Sequence, residues 1–377
     1  MKELLIVDIG PSNGGVESLI YDFYRNVDKT KFKLSFLVYG DSCFHEDEYK
    51  VESDIFYLPK RFDHPIRHTH EMATFFKTHI YFDIVWVQSR SATNILAQKY
   101  AKKYTKAKVV THSHSTGPEN KGVWHKLVIK FLCFINRKKL STLTDVAIGC
   151  SHEAYDYLFD RQYVGEHYII LNGCNGDKFG FDNEKRKIVR DSLQIGRKTF
   201  VIGTVGRLVP MKNQTFCIDI LKEIVNTNND AILIFVGDGP MRGKLEKYAD
   251  MNGVKENVLF LGNRNDVSDI YNTFDAFVSS SSSSEGLPVV AIEAQMNGMP
   301  TFLSSVITKD AIANENAYRI SLGKGASYWA KFIIDKVENP GDMSITKKRE
   351  WFSEKMKYSK YEIKEYVKTI SEILLIG

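Results

Sequence analysis

Short apolar runs bounded by turn residues recur through the first half of the chain, at Leu4–Ile9, Leu34–Val38, Asp54–Leu58, Ile84–Val87, Val109–Val110, Val146–Ile148 and Tyr168–Leu171. Between them lie stretches with apolar residues at helical spacing, such as Val16–Val27, Ser91–Tyr104 and Trp124–Leu140. Strands alternating with helices predict a parallel sheet covered on both faces. The pattern then restarts. Strand signals at Phe200–Val205, Ala231–Val236, Val258–Leu261, Asp275–Val278 and Pro300–Leu303 alternate with helical patterns at Gln214–Asn226, Met241–Ala249 and Val289–Met296. The expected fold is α/β, with two Rossmann-like doubly wound domains at 1–180 and 181–350. A carboxy-terminal helical segment, 351–377, has spacing suited to packing back on the first domain.

In such sheets ligands bind beyond the carboxyl ends of the strands, so the loops there carry the candidate chemistry. After the first strand come Gly14 and Gly15, opening a helix; they let backbone N–H groups approach a phosphate or sugar closely, or they form a plain tight turn. The run Gly10–Glu17 does not fit the dinucleotide-binding Gly-x-Gly-x-x-Gly. After Val109–Val110 stand His112 and His114. Because the strand ends there, only one of them is expected to enter the site, His112 first and His114 second. After the first strand of the second half, Arg207 and Lys212 share a loop and can grip one diphosphate, Arg through its planar fork and Lys as a point charge. Elsewhere such a pair is merely solvated.

The most informative stretch runs from Ser279 to Glu293: six serines, then Glu285-Gly286-Leu287-Pro288, then a helix. Pro288 suits a first helical turn, and the free N–H groups there attract anions. Glu285 and Glu293 flank that anion site. Beside a diphosphate they make sense as acceptors of hydrogen bonds from sugar or ribose hydroxyls; otherwise they only complement the helix dipole. Glu285, seven residues and Glu293 resemble the signature of retaining nucleotide-sugar glycosyltransferases of family 4, which have the GT-B architecture of two domains facing across a cleft. The Gly206-Arg207…Lys212-Asn213 loop and the Gly237-Asp238-Gly239-Pro240 turn resemble that family as well. The likeness weakens after Pro300, where the family's Gly-rich acidic turn is missing.

The resemblance implies a role for each candidate. Glu285 would hold hydroxyls of the donor sugar, Glu293 the ribose, Gly14 and Gly15 the phosphate side, and His112 the reacting face. Arg207 and Lys212, with the amides of Gly286, Leu287 and Val289, would stabilise the leaving diphosphate. No metal, cofactor or protein general base is then expected. The implied reaction moves a hexose from a nucleoside-diphosphate sugar, a UDP-sugar first, to a hydroxyl of a lipid-linked or oligosaccharide acceptor in capsular, exopolysaccharide or other surface-glycan synthesis. The alternatives are a sugar-nucleotide epimerase and a non-catalytic glycosyltransferase-like partner subunit.

Composition narrows the setting. The chain has 377 residues, 43% hydrophobic and 26% charged, as in globular proteins. Its five cysteines lack Cys-x-x-Cys spacing, which argues against a disulfide framework or a zinc site. No apolar run approaches the ~20 residues of a membrane span, and Met1–Asp8 is too short and acidic for a signal peptide. A cytoplasmic protein is expected. The net charge of +5 is unevenly spread: between Lys99 and Lys139 stand eleven Lys and Arg against one acid, Glu119. That segment suits an anionic membrane or substrate and no nucleic acid motif. Within it Trp124, Leu127, Val128, Phe131 and Ile135 form one helical stripe beside Lys126, Lys130 and Arg137. The stripe is expected first to face the core; the second reading lays it on the inner face of the membrane as a peripheral contact.

Overall fold

The structure is a computed structural model that describes residues 1–11, 14–117, 123–159, 163–227, 230–283, 285–339 and 343–376. The side chains of 123–126 and 128 lie outside that description, so Trp124, Lys126 and Val128 of the basic helix are not placed. The chain forms two compact units: Met1–Asn172 with Glu285–Leu287 and Ile363–Gly377, and Gly173–Ser284 with Pro288–Glu362.

In the first unit, strands β1 (Lys2–Ile9), β2 (Phe32–Tyr39), β3 (Asp54–Leu58), β4 (Ile84–Ser89), β5 (Lys108–Ser113), β6 (Val146–Gly149) and β7 (Glu166–Ile169) form one parallel sheet in the order 3-2-1-4-5-6-7. β1 is buried on both faces. Leu4, Ile6 and Ile9 pack with the helices Gly15–Asn26 and Ile363–Leu375, and Leu5 and Val7 pack with the helices Pro65–Thr78 and Leu96–Tyr104. A strand enclosed in this way reads as an unbroken apolar run, as Leu4–Val7 does. The final helix contributes Ile363, Tyr366, Val367, Ile370, Ile373 and Leu374 to this core, and Lys108 donates to the Ile373 carbonyl at 2.9 Å.

The second unit holds β8 (Phe200–Val205), β9 (Ala231–Val236), β10 (Val258–Gly262), β11 (Ala276–Ser279), β12 (Thr301–Ser304) and β13 (Ala317–Ile320), all parallel in the order 10-9-8-11-12-13. Each sheet reverses its winding direction once, beside its first strand: between β1 and β4, and between β8 and β11. Those are the positions where doubly wound sheets open for a ligand.

The domain limits differ from those expected. The helix Ile345–Lys357 belongs to the second unit, not to a segment returning to the first. The reason is Arg349, 5% exposed, whose guanidinium donates to the carbonyls of Phe274 (2.6 Å), Tyr271 (2.8 Å) and Asn297 (3.2 Å). Gly298 makes room for the helix: with φ +72, a Cβ there would stand 2.1 Å from the Arg349 oxygen. Only the last helix, from Ile363 onward, returns to the first unit.

Candidate active site

At the switch point of the second unit, two loops are stitched together. The loop after β8 leaves through Gly206, at φ +140, and turns through a single 3-10 turn, Pro210–Lys212. The serine run after β11 binds back to it. Ser282 N donates to Met211 O at 2.8 Å, and the Ser280 hydroxyl donates to Asn213 O at 2.8 Å. Serines suit this place because their hydroxyls donate to carbonyls of the facing loop, as Ser280 does to Asn213 and Ser282 to Met211. Gly237 and Gly239 of the neighbouring loop are needed for contact: a Cβ at Gly237 would lie 2.3 Å from Gly206 O, and one at Gly239 2.5 Å from Leu208 O. The outcome is a firm backbone that leaves Arg207 exposed and Lys212 half-buried.

The helix Val289–Met296 starts beside this loop with Pro288 as its N-cap, one place earlier than expected for that proline. Glu293 is held from beneath. The hydroxyl of Tyr271, a fully buried ring, lies 2.9 Å from Glu293 Oε2 and 3.1 Å from Val290 O. Burial, with the Glu293 charge beside it, raises the Tyr271 pKa well above its ordinary value, so the hydroxyl keeps its proton as a donor. Tyr271 carried no signal in the sequence beyond an aromatic before the Asp275–Val278 strand.

The remaining part of the signature, Glu285–Leu287, groups with the first unit. Asn172 Nδ2 donates to Leu287 O at 2.9 Å, and a Cβ on Gly286 would lie 2.4 Å from His114 O and 3.0 Å from Cys150 Sγ. Gly286 is therefore glycine for closeness of approach. Ser284 lies outside the described residues.

His112, within the end of β5, and His114, just beyond it, lie on one face, their ring centroids 4.1 Å apart, which differs from the expectation that only one points this way. They differ in depth instead. His112 is fully buried against Trp86, and neither ring nitrogen has a partner among the described residues. Desolvation pushes its pKa down to about 3. His114 is half-buried, with Nε2 2.8 Å from Gln88 Oε1 and Nδ1 unpartnered among the described residues. Burial first, then His112 and Arg90, hold it well below the usual imidazole range, so both rings are neutral at pH 7. Of the two, His114 is the one near the surface.

At the first unit's switch point Gly14 caps the helix Gly15–Asn26 and accepts from Ser18 N at 2.9 Å. Ser12 and Asn13 of that loop lie outside the described residues. Glu17, 2% exposed, turns back from the first turn, accepts from Gly10 N at 3.1 Å and pairs with Arg90 at the end of β4. The carboxylate thus ties both sides of the switch point together. Neither Glu17 nor Arg90 stood out as a site residue in the sequence, because their pairing spans 73 positions.

Two family models divide the chain. Residues 13–177 match the family described as Glycosyltransferase Family 4, and residues 185–344 match Glycosyl transferases group 1. The chain is a glycosyltransferase. This glycosyltransferase is 28% identical to the putative glycosyltransferase EpsF of Bacillus subtilis over 88% of its own length and 87% of EpsF. It is 34% identical to the UDP-Gal:alpha-D-GlcNAc-diphosphoundecaprenol alpha-1,3-galactosyltransferase of Escherichia coli, over 60% of its own length and 58% of that enzyme. Among solved structures, HepE of Anabaena in complex with UDP superimposes with a TM-score of 0.79 at 17% identity, over 99% of each chain. WaaG, a lipopolysaccharide glycosyltransferase, gives 0.74 at 14% identity over all of both chains. These likenesses establish the GT-B fold.

The basic helix, observed at Val123–Leu143, is turned otherwise than first expected. Its buried side is Cys133 and Leu140, while Leu127, Phe131, Phe134 and Ile135 of the outer side are 53%, 64%, 78% and 40% exposed. Leu127, Phe131 and Ile135 of the stripe are not core. Arg137 is taken up by the carbonyls of Asp156 and Phe159, whereas Lys130, Lys138 and Lys139 face outward. Among the described residues no group of three or more His, Cys, Asp or Glu could hold a metal ion, all five cysteines are buried free thiols, and no helix is long and apolar enough to cross a membrane.

Proposed function

We propose that this glycosyltransferase transfers a hexose, with retention, from a UDP-sugar to a hydroxyl of a lipid-linked surface-glycan precursor. The observation that carries the reading is the stitched loop of the second unit, where Ser280 and Ser282 fix the backbone that presents Arg207 and Lys212 beside the helix bearing Glu293. Two cations on a fixed backbone bind a leaving diphosphate more tightly as its charge grows, and that difference lowers the barrier. Glu293, oriented by Tyr271, accepts the ribose hydroxyls. Glu285 accepts hydroxyls of the transferred sugar, and the amides of Gly286, Leu287 and Val289 complete the diphosphate site, with Gly14 and Gly15 on its phosphate side. His114 takes the place at the reacting face first assigned to His112. No metal is required, since the charge is met by cations and amides.

The choice of uridine and of a lipid-linked acceptor follows the names of the Escherichia coli relative and of the HepE complex. The acceptor reading is supported by the outer face of the helix Val123–Leu143, where exposed Phe131 and Phe134 stand among exposed lysines, a combination suited to an anionic bilayer surface.

Thermal stabilisation by UDP, GDP, ADP and dTDP tests the donor site. Binding at a hundredfold excess over Kd adds about 2.7 kcal/mol. A shift selective for UDP in the wild type, abolished in Lys212→Ala and Glu293→Ala, is expected. No shift with any nucleotide would replace the transferase reading with that of a non-catalytic partner.

A further inference from the structure

Three aromatic rings and one amide meet on a single face of the first sheet. β4 and β5 run parallel with Gln88 opposite His112, and residues two apart on a strand share a face. Trp86, Gln88 and His112 therefore stand together, with His114 just beyond the strand end. His112 stacks on Trp86 with centroids 6.0 Å apart, and His114 leans on His112 at 37°. Stacking supports the plane of the His114 ring, but it does not decide which ring nitrogen carries the proton.

Gln88 decides it. The residue is 1% exposed, and its Oε1 lies 2.8 Å from His114 Nε2. A carbonyl oxygen only accepts, so the nitrogen facing it must carry the proton; a bare nitrogen would set two lone pairs against each other away from water. Burial, then His112 and Arg90, keep the ring neutral. A neutral imidazole has a single N–H. With that proton given to Gln88, Nδ1, which has no partner among the described residues, is left as an acceptor. A hydroxyl that meets Nδ1 has to donate to it.

We infer that Gln88 is a positioning residue of the transferase: it holds His114 in the Nε2–H form, so that the ring meets the reacting sugar as a hydrogen-bond acceptor and not as an acid. The inference rests on the transferase reading above, in which His114 stands at the reacting face, and Gln88 acts only through His114. The choice of an amide has a physical reason. A carboxylate in its place would stabilise the imidazolium and turn Nδ1 into a donor, whereas an amide orients the ring without charging it.

Around the ring, among the described residues, His112 on the same strand and Arg90 at the end of β4 both disfavour a charge on His114, and Arg90 is paired with Glu17. Cys150, itself near Tyr366 of the final helix, and the His114 carbonyl both adjoin Gly286, beside Glu285. Asp8, which the β1–β2 register skips and which sits at φ +74, lines the recess of Tyr39 and Gln98 on the other face of the sheet.

Nuclear magnetic resonance of isotope-labelled histidine reads the tautomer directly, since the two ring nitrogens differ in shift when only one is protonated, and His114→Gln assigns the signal. In the intact chain with UDP at pH 7.5, His114 is expected as Nε2–H. Gln88→Met, similar in volume but without the carbonyl, should show a mixture of the two forms. The companion measurement is transfer from UDP-galactose or UDP-glucose to α-N-acetylglucosaminyl diphosphate on a short alkyl chain. Loss of the hydrogen bond in Gln88→Met should lower kcat about fivefold, with the UDP thermal shift unaltered. In Gln88→Glu the ratio of variant to wild-type kcat should rise about fivefold or more between pH 6 and pH 8.5, as the imidazolium favoured by the new carboxylate loses its extra proton. A merely structural role would lower that ratio equally at every pH. An Nδ1–H form in the wild type, or a flat ratio together with an unaltered kcat in Gln88→Met, would overturn the inference. Absence of any nucleotide shift in the wild type would overturn the transferase reading, and with it the part given to Gln88 in transfer.

Discussion

At the scale of single residues, chemistry is assigned by depth. His112 and His114 are equivalent in the sequence, two residues apart at a strand end, yet one is sealed against Trp86 and the other reaches the surface. His112→Met is therefore expected to leave transfer within about threefold of wild type, and His114→Ala to reduce kcat at least tenfold. His112 also has a stability signature. Its folded pKa, about 3, lies below the unfolded value, so the unfolded chain binds the extra proton and stability is lost as pH falls below about 6.5. The loss attributable to this one group approaches about 1.4 kcal/mol per pH unit. Asp8, raised to about 6, acts in the opposite sense between roughly pH 4 and 6. Urea unfolding at pH 7 and pH 5 should show a smaller acid loss in His112→Met than in the wild type; an equal loss would mean that His112 charges in the folded state. The spacing of the histidines was legible in the sequence, but their depth was not, because burial depends on Trp86 from another strand.

At the scale of elements, the same apolar periodicity served two ends. The Val123–Leu143 helix has apolar residues on more than one side, so its period alone did not say which side turns inward. Packing chose Cys133 and Leu140, and left Phe131 and Phe134 outside. If those rings insert at a bilayer surface, Phe131→Ser with Phe134→Ser should reduce sedimentation with vesicles rich in phosphatidylglycerol by more than half without lowering Tm. Equal sedimentation of variant and wild type would remove the membrane role. The strand β13, Ala317–Ile320, escaped sequence reading because an edge strand of four residues with a central arginine has neither length nor a clean alternation. Tyr271 escaped because its function is to orient Glu293, 22 positions away. Tyr271→Phe should therefore raise the UDP-sugar KM severalfold while leaving kcat near wild type. A change confined to Tm would make the tyrosine purely structural.

For the whole molecule, chain order and structural units do not coincide. The first unit needs Ile363–Leu375, which places six buried side chains in its core, so a fragment ending at Asn172 should be largely insoluble or molten. Ile370→Ala in the intact chain should cost about 3 kcal/mol, measured by urea unfolding, because it empties a filled core site. A cooperatively folded fragment 1–172 would contradict this account. The sequence by itself determined the twin parallel sheets, the strands nearest each switch point and the loops bearing Arg207, Lys212, Glu285 and Glu293, since periodicity, turn residues and strand-end position are local properties of the chain. Only the tertiary structure decided that Asp8 is bulged into a recess, that Glu17 closes on Arg90, which histidine is outermost and which terminal helix joins which unit. Each of these depends on groups tens to hundreds of residues apart, whose meeting is set by packing and by the need to satisfy buried polar atoms.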